Sequence, residues 1–227
     1  MLMPSPLLGS AIWTPLVPAL EHRGRTVGSI TGFPPTVSDP DDVLNCYLDS
    51  VPCEPDVVLV AHSNAGLYLP LVAAACRAAA LVFVDAGLPS GDDSMAVAPP
   101  ELLDFLHQKA DETGVLPPWT QWWEPADRAE LFTDPKLQEQ VEREQLRLPV
   151  SYFAARIRIP TGWDRVPAAY LSFGDTYARQ RADAESRGWP VRSLSGHHLH
   201  MTVDPEGVAA AIDGLLDEVG VTTGPAG

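Results

Sequence analysis

A strand covered on both faces that passes directly into a helix leaves few choices of residue at the turn, and residues 57–67 meet them. Val57, Val58, Leu59 and Val60 are an unbroken aliphatic run, the pattern of a strand with no wet face. Asn64 to Ala80 is rich in Ala and Leu and reads as a helix. The join, Ala61-His62-Ser63-Asn64-Ala65-Gly66, has no room for a loop. So tight a turn holds Ser63 in a strained backbone conformation with its hydroxyl exposed, and the residues two positions either side must be small. Ala61 and Ala65 are. The helix that starts there brings its positive end and its free N–H groups to the same point, which favours an oxyanion formed when Ser63 attacks a carbonyl. Asn64 N–H is the first donor expected. The plain alternative is an ordinary strand, turn and helix with a capping serine.

The remaining pattern alternates strand with helix. Leu81 to Val84, Ala168 to Phe173 and Val191 to Leu194 read as strands, and Arg179 to Arg187 as a polar helix. A last helix begins near Pro205, with Asp204 as N-cap and Val208, Ala209, Ile212, Leu215 and Leu216 on its apolar face. This alternation predicts an α/β fold on a mostly parallel sheet. The 227 residues then form one domain, 1–227, with one core. The stretch at about 88–165 breaks the alternation: it holds proline pairs and short amphipathic helices, the clearest at Glu101 to Lys109 and Asp134 to Arg147, and no convincing strand. It reads as an inserted helical cap, with Trp119, Trp122 and Trp123 either lining a substrate pocket or anchoring the cap to the core.

Charge and cysteine content exclude some classes. A net charge of −15, spread along the chain, repels a phosphate backbone, so nucleic acid is not an expected partner. No apolar run reaches the length of a membrane span. The first twenty residues lack a basic stretch and are broken by Pro4, Pro6, Pro15 and Pro18, unlike a secretory signal, so a cytoplasmic location is expected. Lys109 and Lys136 are the only lysines among many arginines, a bias of high-GC bacterial genes. Cys46, Cys53 and Cys76 have neither disulfide nor zinc spacing and are expected as buried free thiols.

The segment from Ala61 to Gly66 resembles the G-H-S-x-G-G elbow of the α/β-hydrolase superfamily, with alanine in place of two glycines. The resemblance covers nearly the whole chain: Pro6 to Trp13 looks like the oxyanion loop and helix that open such domains. There the usual His-Gly pair is replaced by Pro4-Ser5, and the donor position falls on Pro6, which has no N–H. Leu7 or Leu8 must then supply the second donor. The family's first two antiparallel strands have no counterpart, so the sheet is expected to be truncated at that edge unless the true start lies upstream.

The same resemblance implies the order serine, acid, histidine. Ser195-Gly196-His197, followed by Asp204-Pro205-Glu206-Gly207-Val208, is similar to an ending in which the histidine directly after glycine is catalytic, which makes His197 the expected base. A metal site built from His197, His198 and His200 is the competing reading, and it lacks an evident further ligand. Two aspartates follow strands ahead of that histidine. Asp175 holds the commoner position, but the stretch from there to Trp189 looks short; Asp85, in a turn resembling the acid-bearing turn of some lipases, is favoured. Together these imply a serine hydrolase that cleaves an ester, lactone or thioester of a small, partly apolar substrate, with no cofactor and no metal, as a monomer or homodimer. The alternatives are a lyase or cyclase on the same scaffold, in natural-product biosynthesis for example, and a binding protein with a vestigial triad.

Overall fold

The computed structural model describes residues 1–54, 56–90, 93–125, 128 and 130–221. Five strands form one parallel sheet: β1 (Leu2–Met3), β2 (Val58–Ser63), β3 (Ala80–Ala86), β6 (Ala168–Phe173) and β7 (Val191–Leu194), in that spatial order. The remaining strands, β4 (Ser94–Ala96) and β5 (Arg156–Arg158), pair antiparallel with each other. This ribbon corrects the expectation that 88–165 holds no strand. Its three-residue runs are too short for alternation to show in sequence, and pairing with each other is what makes them strands. They join the two ends of the helical segment between β3 and β6.

Helices α1 (Leu16–His22) and α2 (Pro40–Ser50) follow β1, and α3 (Leu69–Cys76) connects β2 to β3. The segment between β3 and β6 carries α4 (Pro100–Lys109), α5 (Pro135–Glu144) and α6 (Val150–Ala154). Helix α7 (Ala178–Ser186) joins β6 to β7, and α8 (Pro205–Glu218) follows β7. The caps follow from local chemistry: the Asp134 and Asp204 carboxylates accept the Lys136 and Gly207 backbone N–H groups, each beside a proline in the first turn. The helix expected over Asn64 to Ala80 is shorter. It opens as a 3₁₀ turn over Asn64–Tyr68, and ends where Arg77 takes a left-handed conformation.

Every residue of β3 is buried, and Leu59 to Ser63 of β2 are buried as well, as their unbroken apolar runs require. Gly66 answers to close approach: a Cβ there would stand 2.2 Å from the Gly87 carbonyl oxygen at the end of β3. Gly66→Ala is therefore expected to cost about 1–3 kcal/mol, read as a fall in Tm of several degrees. An unchanged Tm would mean that the two segments separate freely. Of the cysteines only Cys76 is buried; Cys46 is half-buried and Cys53 exposed, which corrects the expectation of three buried thiols. No helix among the described residues is long and apolar enough to cross a membrane.

Candidate active site

The end of β2 is strained where the sequence requires it. Ser63 has φ 59° and ψ −130°, a region that residues with a Cβ rarely occupy. Its hydroxyl faces a cavity of about 1040 Å³ between the ends of the strands and the helical segment.

One strand further along the sheet, a bulge aims the acid. His62 pairs with Val84 and Ser63 with Ala86, so Asp85 is the extra residue in β3, and it too has a positive φ, 41°. The Tyr170 hydroxyl holds the bulge in place, accepting from Ala86 N at 3.1 Å and donating to Ala86 O at 2.7 Å. The Asp85 side chain, fully buried, accepts from Phe173 N at 3.0 Å through Oδ1. Its Oδ2 lies 2.6 Å from His198 Nδ1.

His198, and not the His197 expected from the sequence, is therefore the imidazole that Asp85 reaches. The His197 side chain is 55% exposed and faces Glu130 at 3.3 Å, whereas that of His198 is 9% exposed. The cause lies in the backbone and its neighbours. The His198 carbonyl accepts from His62 Nε2 at 2.8 Å, and the His198 ring sits against His62 at 4.4 Å, Tyr177 at 5.5 Å and Trp119 at 5.8 Å between centroids. Those rings hold the second histidine of the pair against the acid and leave the first, with Glu130, on a more exposed part of the wall of the same cavity. His200 packs on Phe173. The other acid considered, Asp175, has a side chain 92% exposed, with Arg181 at 3.9 Å as its ion-pair partner.

A proton on His198 Nδ1, donated to the carboxylate, leaves Nε2 with a free lone pair. His62 must carry its own proton on Nε2 to donate to a carbonyl, and burial holds its pKa well below the usual histidine value, so it stays neutral. From sequence, neither His62, a position of the elbow motif, nor Tyr177 is assigned a role. The only signal for either was its place, one residue before the elbow serine and four residues after β6.

The expected oxyanion donors border the same cavity. Leu7 and Asn64 both line it. Leu8 N and Gly9 N are committed to Ser5 O at 3.0 and 2.9 Å, while Leu7 N has only the Ser5 hydroxyl at 3.3 Å, so Leu7 is the freer of the two candidates. The loop is clamped on two sides. Tyr47 donates to Pro4 O at 2.7 Å from the core, and Glu144 of α5 accepts from Ser10 Oγ at 3.0 Å and Ala11 N at 2.9 Å. Asn64 is held through its side chain, which accepts from the Tyr152 hydroxyl. Trp119, Trp122 and Trp123 all line the cavity, with Trp119 and Trp122 buried and Trp123 exposed. The Trp122 indole N–H donates to Pro117 O at 2.9 Å, so this ring also ties the segment together.

Comparison with known proteins finds a matching family and solved structures of similar fold. The model of the alpha/beta hydrolase family matches residues 3–211. An extracellular alpha/beta-hydrolase from a Paenibacillus species, described as sharing structural and functional homology with tobacco salicylic acid binding protein 2, aligns with a TM-score of 0.73 at 16% identity, over 94% of this chain and 97% of its own. Polyneuridine aldehyde esterase aligns at 0.67 with 17% identity, over 96% and 98% of the two chains. A pyrethroid hydrolase aligns at 0.66 with 22% identity, over 95% and 96%. At such identities the likeness is one of fold. No curated protein matches the sequence.

Proposed function

The chain belongs to the alpha/beta hydrolase family, and from that membership we propose that it is a serine hydrolase acting on a carboxylic ester, with Ser63 as nucleophile, His198 as base and Asp85 as its acid partner. The observation that carries this reading is a strained Ser63 on the wall of the same cavity as His198, whose Nδ1 meets the buried Asp85 behind it. Ser63 Oγ attacks the acyl carbon while its proton passes to His198 Nε2. The developing oxyanion is met by the N–H groups of Asn64 and Leu7. As the carbon–oxygen bond breaks, the proton goes from Nε2 to the leaving alcohol. Water, deprotonated by the same nitrogen, then releases the acid and restores Ser63. Asp85 keeps the proton on Nδ1 and stabilises the imidazolium; it does not take the proton.

The wall of the cavity supports a neutral, partly apolar substrate. Met95, Leu102, Leu131, Phe153 and the three tryptophans give it a largely apolar surface that strips water from a charged group at a cost, and Glu130 and Asp175 on the same wall disfavour an anionic substrate further. That one structural neighbour is an esterase, polyneuridine aldehyde esterase, agrees with this choice of substrate class. Hydrolysis of a lactone or thioester uses the same steps.

A fluorophosphonate probe tests the assignment. Labelling is expected on Ser63, located by mass spectrometry of the labelled peptide and lost in Ser63→Ala. An unlabelled native protein would overturn the nucleophile, and with it the hydrolytic reading in favour of a lyase, a cyclase or a binding protein.

A further inference from the structure

Ser63 Oγ has a neighbour that the mechanism above does not use. The Tyr177 hydroxyl lies 3.4 Å from it, on a ring stacked against His198 at 5.5 Å with 29° between planes. Tyr177 thus touches the nucleophile with its polar end and the base with its face. It also lines the cavity, so a bound ligand has access to it. Burial pushes its phenol up to about 12, and at neutral pH it remains a donor.

The order of strands says which side of a substrate the phenol meets. In the sequence β1, β2, β3, β6, β7, Ser63 ends β2, and the Leu7 loop follows β1 at the sheet edge. Tyr177 follows β6 and His198 follows β7, both on the other side of Ser63. An ester whose carbonyl oxygen points toward Leu7 and Asn64 therefore turns its leaving oxygen toward His198 and Tyr177.

We propose that Tyr177 is a further catalytic residue, whose phenol donates a hydrogen bond to the leaving oxygen of the ester as the bond from that oxygen to the acyl carbon breaks. The proton that the alcohol finally carries away comes from Ser63 by way of His198. Tyr177 keeps its own, and its contribution is to share the charge that builds on the oxygen before that transfer is complete. The assignment rests on Ser63 being the nucleophile, and it narrows the preferred substrates to esters of poorly activated alcohols, whose leaving oxygen becomes the most basic.

Tyr177→Phe removes the hydroxyl and retains the ring against His198. The test compares kcat/KM of native protein and variant on 4-nitrophenyl acetate, phenyl acetate and ethyl acetate. The expected loss is ~10-fold or more on ethyl acetate, the scale of a hydrogen bond to a charged group, smaller on phenyl acetate and least on 4-nitrophenyl acetate. The kcat/KM pH profile should keep its shape, because the His198 stack and its Asp85 partner are untouched. An equal loss on all three esters, or none, would overturn the proposal, the first by pointing to placement of Ser63. Phosphonate labelling of the variant separates the two readings: a labelled Ser63 with an equal loss sinks only the role of Tyr177, whereas an unlabelled native protein sinks the serine mechanism itself.

Discussion

His198→Ala is expected to lower kcat on an ester substrate by ~10³-fold or more, with His197→Ala keeping most of the native activity. The two side chains are neighbours in sequence and identical in chemistry, so the contrast isolates position. His198 Nδ1 is 2.6 Å from the Asp85 carboxylate and its ring is enclosed by His62, Tyr177 and Trp119. His197 faces Glu130 at the surface. Removing the first takes away the group proposed to accept the Ser63 proton; removing the second takes away an exposed pair worth at most ~1 kcal/mol. Because His198→Ala also opens a hole among three rings, the variant should be checked for a native Tm and for partial recovery of activity with added imidazole. The reverse pattern, with His197→Ala inactive and His198→Ala active, would return the base to the position first expected from sequence.

The second large effect concerns the acid. Asp85→Asn should lower kcat by up to ~10⁴-fold, while Asp175→Asn stays within a factor of about two of native. The asparagine can still accept from Phe173 N through its oxygen, so the bulge at the end of β3 keeps its shape. Its amide nitrogen then faces His198 Nδ1, where two donors cannot meet. The imidazole moves its proton to Nε2 and has no lone pair left for the Ser63 proton. Asp175, 92% exposed and beside Arg181, has no such link. Steady-state kinetics on one ester decides between them. Near-native activity in Asp85→Asn would leave His198 without an orienting acid and would contradict the proposed triad.

What was readable in the sequence is what neighbours in the chain decide. The aliphatic runs of β2 and β3 and the small residues around Ser63 state their environment directly. The strained turn followed, since a buried strand that meets a helix with no intervening loop has one way to proceed. The Asp134 and Asp204 caps were legible for the same reason: a carboxylate three residues or fewer from free N–H groups needs nothing distant to act. The favoured acid was visible as an aspartate at the end of a strand. That it reaches a histidine depends on one unpaired residue in the β2–β3 register, which is a property of two strands together. The choice between His197 and His198 lay further out of reach. It is made by the His62 donor to the His198 carbonyl and by three rings that arrive from β2, from the loop after β6 and from the helical segment. The ribbon of β4 and β5 and the contact of Tyr177 with Ser63 depend likewise on segments far apart in the chain, 62 residues in the first case and 114 in the second. Local backbone preference is encoded residue by residue, but the direction in which a loop side chain points is set by whichever distant groups fill the space on either side, and that space exists only once the chain has folded.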